Sequence, residues 1–302
     1  MGGITVVNLN PCLDWSWHIG DFTHGGTNRV QSARSDAAGK GINVCLALKN
    51  LGLAPVCLGF NFRENGEAIT EKLDNAGIKH DFITAEGAVR VNIKLYDNTG
   101  AMTEINQPGG HVPPNLVEVL YKKILARNEK DGILVLSGSR PAGVEADFYA
   151  RLCNAWQGKA VVDAFGENLR LAVEGPQPPF LIKPNQHELE STFDVKLPTR
   201  EAISDFCRER FIKKGVSTVC VSLGAAGALL VNNEETQFTP AIPLEVKALQ
   251  GAGDAMVAGF VYALKTGDNM LRCAMAAAAA TITREGTRMC DRAGFEEYYN
   301  DL

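Results

Sequence analysis

The segment Gly251-Ala252-Gly253-Asp254 contains the residue types best suited to chemistry on an anion. Glycine lets neighbouring backbone N–H groups converge, and an apolar run compatible with a helix begins directly afterwards. A helix start adds unpaired N–H groups and the positive end of the helix dipole, which together form an anion site. At its edge, the carboxylate of Asp254 can take a proton from an attacking hydroxyl. The segment therefore indicates phosphoryl transfer to an alcohol, although on these four residues a glycine turn with Asp254 as a simple helix cap is an equal alternative.

The composition excludes several classes of protein. The 302 residues carry 30 Lys and Arg against 35 Asp and Glu, a net charge of −5 without any basic block, so neither nucleic acid nor an anionic membrane is an expected partner. No apolar run reaches the ~18 residues of a membrane span, and the N-terminus lacks the pattern of a signal peptide. The eight cysteines are scattered without a C-x-x-C pair, which argues against a zinc site and predicts that most are small buried residues of a reduced, cytoplasmic protein.

Short β-rich runs alternate with helical patterns along the chain. Strands are predicted at 4–9, 55–60, 133–137, 160–162, 180–182 and 218–222, and helices at 41–51, 67–76, 146–155, 201–214, 254–264 and 271–284. This alternation predicts an α/β fold with a mostly parallel sheet covered by helices on both faces. Ligands of such folds bind beyond the carboxyl ends of the strands, where Ser137, Asp163, Lys183 and Ser222 stand.

Two stretches, at about 12–36 and 88–107, break the alternation. In the second, apolar and polar residues alternate from Val91 to Leu95, as in a strand with one polar face. We expect both stretches to form a small β-sheet lid on a single domain that spans 1–302. The other face of this lid would be apolar and in need of cover, which favours a homodimer through the lids.

The order and spacing of motifs along nearly the whole chain resemble the ribokinase-like sugar kinases, and among them the phosphofructokinase B branch. The motifs are Asn8-Leu9-Asn10-Pro11-Cys12-Leu13-Asp14, Asn28-Arg29-Val30, Ala38-Gly39-Lys40-Gly41-Ile42-Asn43-Val44, Arg90-Val91-Asn92-Ile93-Lys94, Asn106-Gln107-Pro108-Gly109, Leu136-Ser137-Gly138-Ser139, Ile182-Lys183-Pro184-Asn185-Gln186-His187-Glu188-Leu189, Val221-Ser222-Leu223-Gly224 and the segment from Gly251 to Asp254. Within this branch the pattern is most similar to 1-phosphofructokinases and tagatose-6-phosphate kinases. The resemblance implies a ribokinase-like three-layer α/β/α sandwich with a β-lid, a sugar phosphate as substrate, and ATP and Mg²⁺ as cofactors.

The resemblance also implies roles for individual residues on the side of the sugar acceptor. Asp254 becomes the general base, and backbone N–H groups of Gly251, Ala252 and Gly253 stabilise the transferring phosphoryl group. The residues implied to bind the sugar phosphate are Asp14, Gly39, Lys40, Asn43, Arg90, Asn92, Lys94, Ser139 and Arg29. Among these, the cations are suited to the substrate's own phosphate, above all arginine with its forked guanidinium.

On the nucleotide side, the residues implied to contact ATP are Lys183, Asn185, Ser222, Gly224, Gly227 and Gly253. Asn185 and Glu188, at Asn-x-x-Glu spacing, are implied to position Mg²⁺ largely through water, as suits a hard cation that keeps its hydration shell. The alanine-rich stretch 274–280 fits a helix beneath the adenine and fits tight helix packing equally well.

Three residues depart from the family pattern: Ala38 in place of a glycine, Arg140 in place of an apolar residue, and Gln250 in place of a small or β-branched one. The implied activity is a kinase that converts a ketohexose monophosphate to a bisphosphate. Fructose 1-phosphate is the first choice, tagatose 6-phosphate the second and fructose 6-phosphate the third. The gathered cations disfavour an unphosphorylated sugar or nucleoside, and the intact base and anion segment disfavour a non-catalytic sugar-phosphate sensor. The sequence leaves open the oligomeric state and any regulation by nucleotide.

Overall fold

The computed structural model describes residues 2–99, 101–284 and 286–302. The strands in these residues are β1 (Ile4–Asn8), β2 (Cys12–Ile19), β3 (Val30–Ala38), β4 (Pro55–Glu64), β5 (Lys79–Ala88), β6 (Arg90–Tyr96), β7 (Met102–Asn106), β8 (Ile133–Ser137), β9 (Lys159–Asp163), β10 (Leu181–Ile182), β11 (Thr218–Ser222), β12 (Ala228–Asn232) and β13 (Thr236–Thr239). The α-helices are α1 (Lys40–Asn50), α2 (Glu67–Asn75), α3 (Pro114–Leu125), α4 (Phe148–Ala155), α5 (Gly166–Glu174), α6 (Gln186–Phe193), α7 (Arg200–Arg210), α8 (Ala252–Thr266), α9 (Met270–Ile282) and α10 (Arg292–Asp301).

Nine strands form the large sheet, in the order β13-β12-β11-β10-β9-β8-β1-β4-β5. Pairing is parallel from β11 to β5, and only β12 and β13 add antiparallel strands at one edge. Every residue of β1 and β8 is buried, as expected for strands covered on both faces. The predicted three-layer α/β/α sandwich with a mostly parallel sheet is confirmed.

A separate four-stranded sheet has the order β3-β2-β6-β7. Two antiparallel pairs, β2 with β3 and β6 with β7, are joined by parallel pairing of β2 with β6. The predicted small β-sheet is therefore confirmed, with one adjustment to its expected bounds. Residue 88 ends β5 of the large sheet, and the lid resumes only at Arg90.

Several elements differ from the sequence expectation. The chain adds strands β5, β12 and β13 and helices α3, α5, α6 and α10, which the initial pattern did not predict. The predicted helix 201–214 ends at Arg210 and is followed by a 3₁₀ turn, Ile212–Lys214, that closes on Gly215 with a positive φ. Helix α8 begins at Ala252, two residues earlier than predicted, so Asp254 lies inside the helix and is not its cap.

Two predictions from composition can be compared with the fold. All eight cysteines are free and buried, which matches their interpretation as small core residues. Among the described residues, no helix combines the length and the apolarity that crossing a bilayer requires.

Candidate active site

The segment from Gly251 to Asp254 forms the tight turn into α8. Gly251 caps the helix with φ of 79° and ψ of −5°, the left-handed region that glycine adopts readily. A Cβ at this position would lie 3.1 Å from the sulfur of Met289, so the turn also has little space for a side chain. Because the helix begins at the next residue, its first backbone N–H groups lack intrahelical partners and are suited to an anion. That of Ala252 makes one long contact, 3.4 Å, to the carbonyl of Leu249.

Asp254 is the third residue of α8 and is only 5% exposed. The Nδ2 atom of Asn43, on α1, donates a hydrogen bond of 2.8 Å to its Oδ2. Burial raises the pKa of Asp254 to about 6, an effect that the positive charge of Lys40 opposes. Asp254 is thus a carboxylate poised near neutral pH, which is the range that suits a general base.

The sugar elements meet Asp254 through α1. Gly39, immediately before this helix, has φ of 154°, and a Cβ there would lie 2.5 Å from Oδ1 of Asn8. Ala38 needs no such freedom because it ends strand β3 with a negative φ, so the departure from glycine at this position is accommodated. Asn43 retains a buried Oδ1 without a hydrogen-bond partner, an acceptor that a sugar hydroxyl could use.

Asp14 lies on the lid and is held by two side chains of β6. Lys94 forms an ion pair of 2.7 Å with its Oδ2, and Asn92 donates a bond of 3.1 Å to its Oδ1. Both members of the ion pair are less than 10% exposed. The register of β2 with β6 places Asp14 directly opposite Asn92, 78 positions away, and so brings it next to Lys94, 80 positions away. The charge of Lys94 is therefore engaged by a carboxylate.

Arg90 differs from Lys94 because its partners are carbonyl oxygens. It donates from Nη1 to the carbonyl of Gln107 at 3.1 Å, and its Nη2 lies 3.5 Å from the carbonyl of Asn10. The side chain of Asn10 in turn donates to Oγ of Ser139 at 3.1 Å. Asn10 thus links a guanidinium with uncompensated charge to a hydroxyl, and this pair is a candidate cradle for a phosphate.

The remaining predicted cations lie elsewhere. Lys40 and Lys183 both contact the carboxylate of Asp163, at 3.2 and 3.0 Å. Arg29 is exposed in the connection between β2 and β3. Arg140 turns away from the crevice to Asn168 and the carbonyl of Val144, so its place in the chain is explained by packing against α5.

A cavity of about 610 Å³ adjoins the anion segment and brings together most of the predicted nucleotide residues. Asn185, Ser222, Gly224, Gly227 and Gly253 all line it. Its opposite wall includes Met275, Ala278 and Ala279 of the alanine-rich helix α9. Apolar walls with a few polar groups at one end are typical of a site for a planar base carrying phosphates.

Asn185 and Glu188 are joined in a capping box at the start of α6. The backbone N–H of Asn185 donates to Oε2 of Glu188 at 2.8 Å, and the N–H of Glu188 donates to Oδ1 of Asn185 at 2.7 Å. This leaves the second carboxylate oxygen of Glu188 for a ligand. Among the described residues there is no group of three or more Asp, Glu, His or Cys arranged to hold a metal ion. One available carboxylate fits Mg²⁺ bound mainly by water and by the phosphates of its substrate.

Gln250, directly before the anion segment, reaches the lid. Its Nε2 lies 3.2 Å from the hydroxyl of Tyr96 on β6 and 3.3 Å from the sulfur of Met102 on β7. A larger polar residue at this position therefore links the lid to the loop that precedes α8. Sequence reasoning noted the departure but had no means to find this contact.

Two residues to which the sequence assigned no role in the site occupy central places in it. Asp163 receives both crevice lysines, and Asn10 joins Arg90 to Ser139. The signal available in the sequence was the position of Asp163 at the end of a strand and that of Asn10 in the opening motif. Their partners depend on strand order, which the sequence pattern did not specify.

Comparison with known proteins identifies the family of this chain. The profile of the pfkB family carbohydrate kinases matches residues 3–293. A 1-phosphofructokinase of Borreliella burgdorferi is 36% identical over 88% of this chain and 86% of its own length, and one of Bacillus subtilis is 32% identical over 99% and 97%. The crystal structure of phosphofructokinase-2 from Escherichia coli in complex with potassium superposes with a TM-score of 0.92 at 27% identity, covering 100% of this chain and 99% of that one. A ribokinase from Thermotoga maritima, at 22% identity and a TM-score of 0.82, shares the fold. The chain therefore belongs to the pfkB family of carbohydrate kinases and is a sugar-phosphate kinase.

Proposed function

We propose that this kinase transfers the γ-phosphoryl group of ATP to fructose 1-phosphate and forms fructose 1,6-bisphosphate. The observation that carries the proposal is the buried Asp254, held by Asn43 at the entrance of α8, together with the Arg90–Asn10–Ser139 cradle on the sugar side. The curated relatives from two distant bacteria that carry the name 1-phosphofructokinase support this choice of substrate. Tagatose 6-phosphate is the second candidate, and fructose 6-phosphate, which a related E. coli phosphofructokinase-2 structure contains, is the third.

In this mechanism Asp254 accepts the proton of the sugar hydroxyl as the oxygen attacks the γ-phosphorus. The new O–P bond forms while the bond to the β-phosphate oxygen breaks, and ADP leaves. Negative charge that develops on the transferring group is stabilised by backbone N–H groups of Ala252 and Gly253 at the helix start. Because the pKa of Asp254 is about 6, the carboxylate is mostly ionised and able to act as a base above neutral pH.

The sugar is held between the two sheets. Asn43 and Asn92 each keep a buried Oδ1 without a partner, and both oxygens can accept sugar hydroxyls near Asp14. Asp14 has its charge balanced by Lys94, so it serves as a hydrogen-bond acceptor that is already oriented. The phosphate of the substrate binds the guanidinium of Arg90 and the hydroxyl of Ser139.

ATP occupies the cavity lined by Ser222, Gly224 and Gly227, with its phosphates toward Gly253 and toward Lys183, which lies next to Gly253. Mg²⁺ bound through water to Glu188 would neutralise phosphate charge. Asn185 orients Glu188 by accepting its backbone N–H and donating its own. We assign this chemistry to the cytoplasm, where ATP and sugar phosphates are available and where eight free thiols stay reduced.

The lid also supports a homodimer. Alternation along β2 and β6 places Trp15, Trp17, Ile93 and Leu95 on the face opposite to Asp14 and Lys94, and Ile105 beside them is 53% exposed. A second copy of the lid would cover this apolar surface. Light scattering of the purified protein should give the mass of a dimer or a multiple of it; a monomer would refute this arrangement. One related E. coli phosphofructokinase-2 is known in a tetrameric form.

The deciding experiment measures ATP consumption with Mg²⁺ against fructose 1-phosphate, tagatose 6-phosphate, fructose 6-phosphate, fructose, ribose and adenosine. The expected result is the highest kcat/KM with fructose 1-phosphate. Preference for another ketohexose phosphate would keep the mechanism and change the substrate. Preference for an unphosphorylated acceptor would show that Arg90 and Ser139 do not read a phosphate, and absence of any turnover would favour the non-catalytic sensor.

A further inference from the structure

Asp163 ends strand β9 in the middle of the large sheet, and its side chain is about 1% exposed. Each of its two oxygens lies within ion-pair distance of a different lysine, and the Lys40 contact also has hydrogen-bond geometry, whereas Oδ1 has no hydrogen-bond partner. Lys40 contacts Oδ2 at 3.2 Å, and Lys183 contacts Oδ1 at 3.0 Å. Ser137, at the end of the neighbouring strand β8, donates its hydroxyl to Oδ2 at 3.2 Å. One buried carboxylate therefore holds two cations that come from distant parts of the chain.

The two lysines face different substrates. A Cβ on Gly253 would lie 3.2 Å from Nζ of Lys183, so this ammonium group lies against the anion segment. Lys40 is the first residue of α1, the helix that also carries Asn43 and thereby contacts Asp254. The ammonium group of Lys183 is thus next to the phosphoryl site, and that of Lys40 is on the side of the sugar.

The electrostatics favour a fixed pair. Burial alone would raise the pKa of Asp163, but Lys183 and Lys40 together lower it to about 2, so the carboxylate is ionised at every working pH. Asp163 is the largest cause that raises the pKa of Lys40, against the opposing effect of burial. Without this carboxylate, two ammonium groups would face each other in a poorly solvated crevice.

We propose that Asp163 is a positioning residue for phosphoryl transfer, which fixes Lys40 and Lys183 as a pair of cations on either side of the group being transferred. It touches neither substrate and acts through the two lysines. In the transition state the phosphoryl oxygens carry spread negative charge, and cations that are already placed need no rearrangement to stabilise it. The inference rests on the proposed kinase mechanism and adds a residue to it.

The first test is Asp163→Asn, which keeps the shape of the side chain and removes its charge. We expect kcat to fall by at least ~100-fold, comparable to the loss of one preorganised donor in a charged transition state. The KM values for ATP and for the sugar phosphate should change by less than about tenfold, because the lysines remain and can still meet phosphates in the ground state.

The pH profile distinguishes positioning from mere support of the fold. The groups that face Asp163 are Lys40 of α1, Lys183 after β10, Asp254 of α8 and Tyr149 of α4; Glu188 adds its charge near Lys40. Asp163 raises the pKa of Asp254, so removal of its negative charge lowers that pKa and should move the acid limb of the kcat/KM profile to lower pH. A variant that had only weakened the fold would lose activity without moving this limb.

Two further variants keep the proposal falsifiable if Asp163→Asn folds poorly. Asp163→Glu retains the charge on a longer arm, and we expect the wild-type acid limb with kcat reduced about tenfold because the lysines are displaced. Asp205→Asn, the matched control, makes the same chemical change at an exposed position of α7 and should change neither the acid limb nor kcat. Thermal unfolding of each variant verifies that it is folded.

Three results would overturn the inference. One is an Asp163→Glu variant with wild-type kcat, and another is an Asp163→Asn variant whose acid limb stays in place. The third is an Asp163→Asn variant whose main change is a higher Mg²⁺ requirement, since the carboxylate would then act on the metal. A wild-type protein without activity on any sugar phosphate would instead refute the kinase mechanism on which the inference rests.

Discussion

The substitution Asp254→Asn should remove catalysis and at the same time stabilise the protein at alkaline pH. The pKa of Asp254 rises from 3.8 to about 6, mainly through burial, which corresponds to about 3 kcal/mol against the ionised form. A raised carboxyl pKa gives the folded state stability that is complete below the unfolded pKa of 3.8 and is lost as the pH rises through about 6. Asparagine keeps an oxygen that can accept from Asn43 and has no charge to bury.

The expected difference between variant and wild type is therefore close to zero near pH 4 and largest at pH 8. For 302 residues with an unfolding entropy of about 2 cal/mol/K each, 3 kcal/mol corresponds to a Tm higher by about 5 °C. Thermal unfolding followed by circular dichroism at pH 4.5, 6 and 8 measures the trend. In the same protein kcat should fall by at least ~100-fold, and the acid limb of the wild-type kcat/KM profile should lie at about pH 6.

Asp205, exposed on α7, provides the matched control. Asp205→Asn makes the same chemical change outside the crevice and should alter neither activity nor the pH trend of Tm. The reasoning would be refuted if Asp254→Asn were less stable than wild type at pH 8, or if the difference in Tm were the same at all three pH values. Retention of most activity would remove Asp254 from the role of base.

Three other substitutions test separate contacts. Arg90→Ala should raise KM for the sugar phosphate about 10- to 100-fold and leave KM for ATP unchanged, because charged hydrogen bonds contribute about 1.5–3 kcal/mol; equal effects on both KM values would contradict the phosphate cradle. Lys94→Met leaves Asp14 as an unpaired buried charge and should lower the free energy of unfolding by about 3–5 kcal/mol in urea titrations at pH 8. An unchanged unfolding midpoint would mean that the burial of Asp14 does not depend on its ion pair with Lys94. Gln250→Ala removes the bond to Tyr96 and should raise KM for the sugar about fivefold, as expected for the loss of a hydrogen bond that contributes about 1 kcal/mol. If adding Tyr96→Phe to the Gln250→Ala variant raises KM by a further factor of that size, the two side chains act independently.

The local parts of the site were predictable from the sequence because they depend on neighbouring residues alone. The turn at Gly251 needs a positive φ and a helix directly afterwards, and both requirements are visible in four or five residues. The capping box of Asn185 and Glu188 also has the spacing of a helix start, but the sequence analysis assigned this pair only an implied Mg²⁺ role and did not predict α6. The sequence alone also left open the cap alternative for Asp254, which the start of the helix at Ala252 excludes.

The ion pairs were not predictable in this way, because each depends on which strands are neighbours. Alternation along β6 correctly put Lys94 on the polar face, but it could not reveal that parallel pairing with β2 sets Asp14 beside it. Lys94 was therefore expected to bind the substrate's phosphate, although its charge is balanced by that of Asp14 within the protein. Arg90, at the start of the same strand, donates to carbonyl oxygens instead.

Asp163 illustrates the same limit at the centre of the fold. The rule that strand ends converge placed Ser137, Asp163 and Lys183 at one edge of the sheet, and the order β10-β9-β8 makes β9 the middle strand of the three. A carboxylate on the middle strand can reach groups on both sides, and Lys40 joins them because α1 follows the lid strand β3 back into the crevice. Strand order thus sets the charge of the crevice. The positive charges of Lys40 and Lys183 nearly cancel the negative charges of the buried Asp163 and Asp254, so the fold has little net charge to bury. The phosphates of the substrates then meet cations that are already fixed in place.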